Sequence, residues 1–420
     1  MRIALVAHHG SPLTPATGQE PMSQAASVAA HARGLAKLGH RVTIYARRDS
    51  RALPDSAILA PRVTVEHVTA GPPAPLAGAE LAANVAEFSD QLAQRWRRNT
   101  PDVVHAYFWT SGLAALAAAR GRDIPLVQTF GTLGVAERRH GSIVDGNDVR
   151  IRLEACLARN ADTVLAGTGA EAADLVSMGV PRASVTVVPC GVDTAEFTPE
   201  GPAAKRGTGH RLLAVVTRLD RNQGLDTLLR MLTRVPGAEL VIAGGPAKSQ
   251  LRKDEAYQEL TGLAGRLGVA DRVSFTGKIA PGGLPALLRS ADLLVSAAPY
   301  EPSGAVALAA MSCGIPVAAP AVGGCADAVL DGTTGALIPP GRPDLFARRV
   351  RDLLSSPLRL EAFGIAAADR AGARYSWDRI ARETAAAYER CLPSSAAVAQ
   401  ADEPEREPEP EPAGDLAALA

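Results

Sequence analysis

The chain has 420 residues, 47% of them hydrophobic, and its 44 Lys plus Arg balance its 44 Asp plus Glu for a formal net charge of +0. That length fits two to three domains of roughly 100–200 residues each, and the charge balance leaves no electrostatic footprint for nucleic acid or an anionic membrane. The five cysteines, Cys156, Cys190, Cys313, Cys325 and Cys391, are scattered without any C-x-x-C pair, which argues against a disulfide framework or a zinc site.

The first residues, MRIALVAHHG, read as a strand from residue 2, without the length and flanks of a signal peptide. No apolar run approaches the roughly 20 residues of a membrane span, so the cytoplasm is the expected location. Apolar runs at 2–7, 41–46, 63–68, 102–107, 126–130 and 163–167 read as buried strands. Between them, Gln24–Leu38, Glu80–Arg97 and Arg150–Asn160 carry helical spacing. Continuous apolar strands alternating with helices predict a parallel sheet covered on both faces, that is, a doubly wound α/β unit over residues 1–192.

The pattern then breaks. PCGVDTAEFTPEGPAAKRGTGH is rich in Gly, Pro and Thr and predicts a linker at 193–210. A second α/β series follows at 211–219, 238–245, 272–277, 292–298, 316–320 and 335–340, and then a long helical stretch, 343–392, with Trp377 and Tyr388 available to dock it. The second domain is therefore 211–392, with a final helix able to cross back to the first. From Pro393 to Ala420 the composition changes to ADEPEREPEPEPAG and its flanks. Alternating proline and glutamate cannot bury enough apolar surface to offset the ordering entropy, so an acidic disordered tail is expected at 393–420.

Two such domains face each other across a cleft, and ligands of open α/β sheets sit beyond the strand C-termini. A donor held by one domain can there meet an acceptor held by the other. Glu301 is followed by Pro302, Ser303, Gly304 and a helical run through Ala305, Val306 and Ala309. Unpaired N–H groups and the dipole at a helix start favour an anion such as a diphosphate. Pro302 suits the first helical turn, and Gly304 lets a ligand approach the backbone; an ordinary strand-to-helix turn has the same features. Arg218 ends a strand within VTRLDRNQG, where a guanidinium suits bidentate phosphate binding. The Gly-Gly pairs at 244–245 and 323–324 read equally as close approach to phosphates and as tight turns. His8, His9, His105 and His140 read as structural, although His8 and His9 end the first strand and face the expected cleft. The loop after that strand, HHGSPLTPATG, lacks the G-x-G-x-x-G spacing of a dehydrogenase.

YEPSGAVALAAMSCGIPVAAPAVGGCADAVLDGTTGALIPPGRPD (300–344) resembles the donor-binding block of the retaining GT-B glycosyltransferases of family 4. VVPCGVDTAEFTP (187–199) resembles that family's interdomain signature, VTRLDRNQG (216–224) its phosphate-binding loop, and AHARGLAKLGHRVTIYARRDS (30–50) its first helix and second strand. The resemblance implies a GT-B fold: two Rossmann-like domains whose parallel sheets face an interdomain cleft. It implies transfer of a sugar from a nucleotide-sugar donor to a hydroxyl of a small-molecule or glycan acceptor, with retention and with neither metal nor cofactor. On the same ground, Glu301 lies near the transferred sugar and Arg218 on the diphosphate as the catalytic pair. Gln223, Lys278, Ser303, Gly304, Ala305, Val306 and Ala309 then surround the nucleotide.

Four positions depart from the family pattern. Ala309 stands where a glutamate meets the ribose, Gln223 where a lysine meets the phosphates, Gly131 where a histidine meets the reacting sugar, and Met22–Ser23 where a Gly-Gly loop is usual. A charge-assisted hydrogen bond contributes about 1.5–3 kcal/mol, so losing the carboxylate and the lysine puts about 3–6 kcal/mol of donor binding at stake. The departures support a second reading, a catalytically degenerate homologue serving as a binding or auxiliary partner of an active glycosyltransferase.

Overall fold

The computed structural model describes residues 1–13, 24–141 and 148–392; Met22–Ser23 and the tail 393–420 lie outside them. The strands of the first sheet are β1 (Arg2–Ala7), β2 (Arg41–Arg47), β3 (Ser56–Ala60), β4 (Val63–Val68), β5 (Val103–Tyr107), β6 (Leu126–Thr129), β7 (Thr163–Ala166) and β8 (Val185–Val187). Those of the second are β9 (His210–Val216), β10 (Ala238–Gly244), β11 (Val273–Gly277), β12 (Leu293–Val295), β13 (Val317–Pro320) and β14 (Gly335–Ile338). The spatial orders are β3-β4-β2-β1-β5-β6-β7-β8 and β11-β10-β9-β12-β13-β14.

The apolar runs form strands because both faces are covered. Along β1, Ala4 and Val6 enter one core while Ile3, Leu5 and Ala7 enter another on the opposite face. Along β9, Leu212, Ala214 and Val216 alternate in the same way with Leu213. All neighbours pair in parallel except β3, which runs antiparallel to β4 at the sheet edge. That edge strand departs from the all-parallel expectation, and neither it nor β8 carries a buried run: Ile58 of β3 is 83% exposed, and β8 has three residues.

Two helical stretches are divided. The one expected at 80–97 is Gly78–Ala83 and Val85–Arg98, separated at Asn84. The one expected at 343–392 is three helices, Pro343–Leu354, Pro357–Tyr375 and Trp377–Cys391. Pro357 lacks the N–H that would continue a preceding helix, and Ser356 caps the new one by accepting from Arg359 N at 3.4 Å. At Ser376 the backbone is extended, which turns the last helix toward the first domain.

There it packs on the helix Gln24–Lys37. Gly34 permits the approach, since a Cβ at that position would lie 2.9 Å from the Ala381 Cβ. The two chain crossings between domains run side by side, with Val192 N donating to Tyr375 O at 2.7 Å. Residues 193–209 hold no regular element and lie against the second domain, where Phe197 is buried in the core and its carbonyl accepts from Ser312 Oγ at 2.5 Å. Among the described residues no helix is long and apolar enough to cross a membrane.

Candidate active site

The C-terminal ends of the second sheet's strands bring several loops together, and glycines set their spacing. Gly224, at φ +65°, follows the Arg218–Gln223 loop; a Cβ there would fall 2.0 Å from Ala297 O, beyond β12. Gly324 would put a Cβ 2.2 Å from the Ser303 carbonyl carbon, and its N–H donates to Glu301 O at 2.8 Å. The Gly-Gly pair at 323–324 therefore lets the loop after β13 nest beneath residues 301–304.

The helix Ala305–Ser312 starts after Gly304, itself at φ +65°. Pro302 thus precedes the helix instead of occupying its first turn, because the left-handed residue at 304 separates them. Glu301 Oε1 accepts from Ser303 N at 3.4 Å, Ser303 Oγ at 3.2 Å and Gly304 N at 3.2 Å. Ser303 Oγ in turn accepts from Ala305 N at 3.2 Å. The carboxylate thus satisfies the amides of the turn while holding it in shape. A narrow pocket of about 30 Å³ opens beside it, bordered by Gln223, Ser296, Glu301, Val306 and Ala307. The N–H groups of a helix's first turn have no intrahelical acceptor, so Val306 and Ala307 bring donors to this pocket.

The remaining donor-side candidates are placed differently. Arg218 has an 80% exposed side chain and pairs with Asp220, Nε to Oδ2 at 3.2 Å; it borders neither the narrow pocket nor the larger cavity between the domains. Lys278 is exposed on the loop after edge strand β11, its backbone N–H bonded to Pro246 O at 3.0 Å. Ala309 is 1% exposed, packed in an apolar core behind the site.

The interdomain cavity has a volume of about 340 Å³. Tyr107, Phe108, Phe130, Gly131 and Thr132 border it from the strand ends of the first sheet, and Pro302, Ser303 and Ala305 from the donor-side loop. Trp377, Ile380 and Thr384 of the last helix complete the wall with Gln24, Ser27 and His31 of the first. Gly131, at φ +74°, sits where the resemblance expects a histidine. The left-handed backbone suits glycine and leaves the cavity open at this point.

Behind the wall lies a chain of buried rings. His31 Nδ1 is 2.5 Å from Tyr107 Oη, and His105 bonds Thr129 Oγ1 through Nε2 at 2.8 Å and Tyr388 Oη through Nδ1 at 2.6 Å. Burial pulls His31 down to about 4 and His105 well below the usual histidine range, the latter helped by the neighbouring His31. Both rings are neutral at physiological pH.

His31 and His105 border the cavity, whereas the sequence singles out His8 and His9 as facing the cleft. The structure corrects that placement. His8 is fully buried, its ring 4.7 Å from that of Phe88, and His9 packs on Phe108 at 4.2 Å; neither borders the cavity. A signal for His31 did exist: it sits on the helix face shared by Val28, Ala32 and Leu35, a polar ring on an apolar stripe. Trp377 and Thr384, some 350 residues further on, give no local sign of meeting it.

Two Rossmann-like domains with their strand ends turned to a common cavity, and a glycine-set helix start on one side of it, define a GT-B glycosyltransferase. The chain belongs to glycosyltransferase family 4 of the group 1 glycosyl transferases: the model described as Glycosyltransferase Family 4 matches residues 24–196, and that described as Glycosyl transferases group 1 matches residues 201–370. It is 36% identical over 418 residues to a D-inositol 3-phosphate glycosyltransferase of Kribbella flavida, covering 94% of this chain and 97% of that protein. With the protein of the same name in Actinosynnema mirum it shares 35% over 407 residues, 92% and 96% of the two chains. Among solved structures, sucrose-phosphate synthase from Thermosynechococcus elongatus superposes with a TM-score of 0.81 at 25% identity, covering 93% of this chain and 98% of that one. Anabaena Alr3699/HepE in complex with UDP-glucose shares the fold, with a TM-score of 0.69 at 18% identity over 93% of this chain and 100% of that one.

Proposed function

We propose that this chain moves a hexosyl group, with retention, from a nucleotide sugar held at the strand ends of the second domain to a hydroxyl of an acceptor seated in the interdomain cavity. We further propose that it works in the cytoplasm. The observation that carries the reading is that one cavity is bordered both by the strand ends of the first sheet and by Pro302, Ser303 and Ala305 of the donor-side loop. A sugar placed on that loop opens directly onto an acceptor. The relatives' name supports glycosyl transfer, and the nucleotide sugar in the Anabaena complex supports the donor class.

In this reading Arg218 swings from Asp220 onto the diphosphate. The exposed pair costs little to break, and the guanidinium gains charge-assisted bonds to phosphate. The first-turn N–H groups of Val306 and Ala307 add donors, with Gln223 beside them. The bond from the sugar's anomeric carbon to the phosphate oxygen breaks and one to the acceptor oxygen forms on the same face. The acceptor proton passes to the departing phosphate. The helix-start N–H groups, fixed before the reaction, need no rearrangement to stabilise the departing diphosphate.

The auxiliary reading draws on one arrangement: Ala309 is packed in the core with no oxygen for a ribose, while Arg218 faces solvent. Calorimetric titration with UDP, GDP, dTDP and their sugars, followed by product analysis, separates the two. A ligand that binds only the folded state also raises thermal stability. Binding with turnover supports transfer, binding without turnover on a broad acceptor panel supports the auxiliary role, and no binding by any nucleotide sinks the transfer reading.

A further inference from the structure

The residues that border the interdomain cavity include no Lys, Arg, Asp or Glu among the described residues. The segments 14–23 and 142–147 contain no Lys, Arg or His either. Rings and hydrocarbon dominate the wall, from Tyr107, Phe108, Phe130, Trp377, Ile380 and Pro302. One cation reaches this wall from behind. Arg150 lies over the Phe108 ring, 5.2 Å from its centre, and bonds Thr132 O at 3.2 Å. Its guanidinium is already held by Glu154 at 2.6 Å and Glu137 at 2.8 Å, two carboxylates against one positive charge. An anion entering here would give up its hydration without gaining a counterion.

Two residues of this apolar wall nevertheless carry a buried polar atom without a partner. His31 and Thr384 border the cavity, both at least nine-tenths buried, and His31 Nε2 and Thr384 Oγ1 have no hydrogen-bond partner. The proton on His31 can be located. The Tyr107 phenol is buried and keeps its proton, its pKa pushed up by burial. Its Oη lies 2.5 Å from His31 Nδ1, so the O–H donates to Nδ1. A neutral imidazole accepting at Nδ1 carries its hydrogen at Nε2. A buried N–H and a buried hydroxyl left without partners are a standing cost that a ligand oxygen would remove.

We propose that the cavity takes an uncharged hydroxyl compound with an apolar body, anchored through its oxygen atoms on His31 Nε2 and Thr384 Oγ1, and that it disfavours phosphorylated acceptors. This rests on the reading that the cavity is the acceptor site. It separates this chain from relatives named for D-inositol 3-phosphate. The aromatic wall supplies area for a ring or chain to bury, the two unpaired groups fix its orientation, and the missing counterion excludes its anionic analogue.

The test uses the full chain and matched pairs that differ by one phosphate: 2-naphthol with 2-naphthyl phosphate, and myo-inositol with its 3-phosphate. Each is titrated calorimetrically with and without the nucleotide that stabilises the protein most. The expected result is 2-naphthol binding about tenfold or more tightly than 2-naphthyl phosphate. His31→Phe, and independently Thr384→Val, which keeps the shape and removes the hydroxyl, each weaken 2-naphthol binding about fivefold or more. Nucleotide affinity stays at the parent value in both variants, which also shows that they are folded. Tighter binding by the phosphate of either pair overturns the inference. So does failure of 2-naphthol to bind, or an unchanged affinity in both variants. Nucleotide binding alongside a preference for phosphate sinks this inference alone, whereas loss of all nucleotide binding sinks the transfer reading beneath it.

Discussion

His105 Nδ1 lies 2.6 Å from Tyr388 Oη, a hydrogen bond spanning 283 residues between a central strand of the first sheet and the last helix. Both residues are buried, at 1% and 0% exposure. The last helix follows the second domain in sequence but is bonded into the first. Tyr388→Phe keeps the ring and removes the hydroxyl, leaving a buried imidazole nitrogen unpaired. The expected loss is about 1–3 kcal/mol of stability, read as a lower urea midpoint with an unchanged slope. A midpoint equal to the parent's means that the bond contributes nothing to holding this helix.

Arg218 is the donor-side candidate whose position and assigned role differ most. Its pair with Asp220 is exposed, and such pairs contribute about 0–1 kcal/mol, so Arg218→Ala should leave thermal stability nearly unchanged. Loss of a charge-assisted bond to a diphosphate costs about 1.5–3 kcal/mol, or roughly 10- to 100-fold in affinity. Asp220→Asn frees the guanidinium and is expected to tighten nucleoside diphosphate binding, most visibly at low salt, where screening is weak. If Arg218→Ala binds nucleoside diphosphates as the parent does, the arginine has no part in the site.

Gly224 and Gly39 make a controlled comparison. Both adopt positive φ, +65° and +92°, but a Cβ at Gly39 would meet nothing within 4 Å, while one at Gly224 would strike Ala297 O. Alanine at a positive-φ glycine destabilises by more than about 0.4–1 kcal/mol, which applies to both. The clash at 224 also shifts the loop that carries Gln223 into the narrow pocket. Gly224→Ala is therefore expected to weaken nucleotide binding, and Gly39→Ala to lower stability alone. Equal nucleotide affinities in the two variants would separate this loop from donor binding.

The two-sheet architecture was legible because most of the inner strands are predominantly apolar runs; β1 and β9 feed two cores at once and leave no polar face to mislead. β3 and β8 were not, since an exposed edge and a three-residue strand bury too little to impose a pattern. The division of the last helical stretch at Ser356–Pro357 was open to a reading of the residues, but an apolar periodicity that continues across the break conceals it. The donor-side segments are contiguous in sequence, so Glu301, Ser303 and Gln223 could be named in advance. The helical side of the cavity wall could not, because His31, Trp377 and Thr384 meet only through long-range packing of the first and last helices. His8 misled for a related reason. The residue that follows a strand can point outward from the strand ends or fold back into the core, and Phe88 behind His8 decides for the core.

Glu171 gives the fold's stability a pH dependence. It stands in the first turn of the helix Gly169–Ser177, where its N–H donates to the capping Thr168 Oγ1 at 3.0 Å and its Oε2 accepts from Gly167 N at 2.8 Å. The other oxygen, Oε1, is buried without a partner. Burial pushes this carboxyl from 4.5 up to about 7, with Glu154 and Asp174 adding to the rise against the opposing Gly167 bond. Between those values the folded chain holds a proton there that the unfolded chain has released. Its contribution to stability is therefore complete below 4.5 and declines as pH rises toward 7. The same helix start meets the second domain, where Asp327 Oδ2 accepts from Gly169 N at 2.8 Å, and Gly167 borders the interdomain cavity. Glu171→Gln retains an oxygen for Gly167 N and cannot ionise. Urea midpoints measured at the two ends of the window should differ less in the variant than in the parent, and the variant should be the more stable of the two at the upper end. Parallel pH profiles for the two proteins would show that Glu171 titrates as an ordinary surface carboxylate.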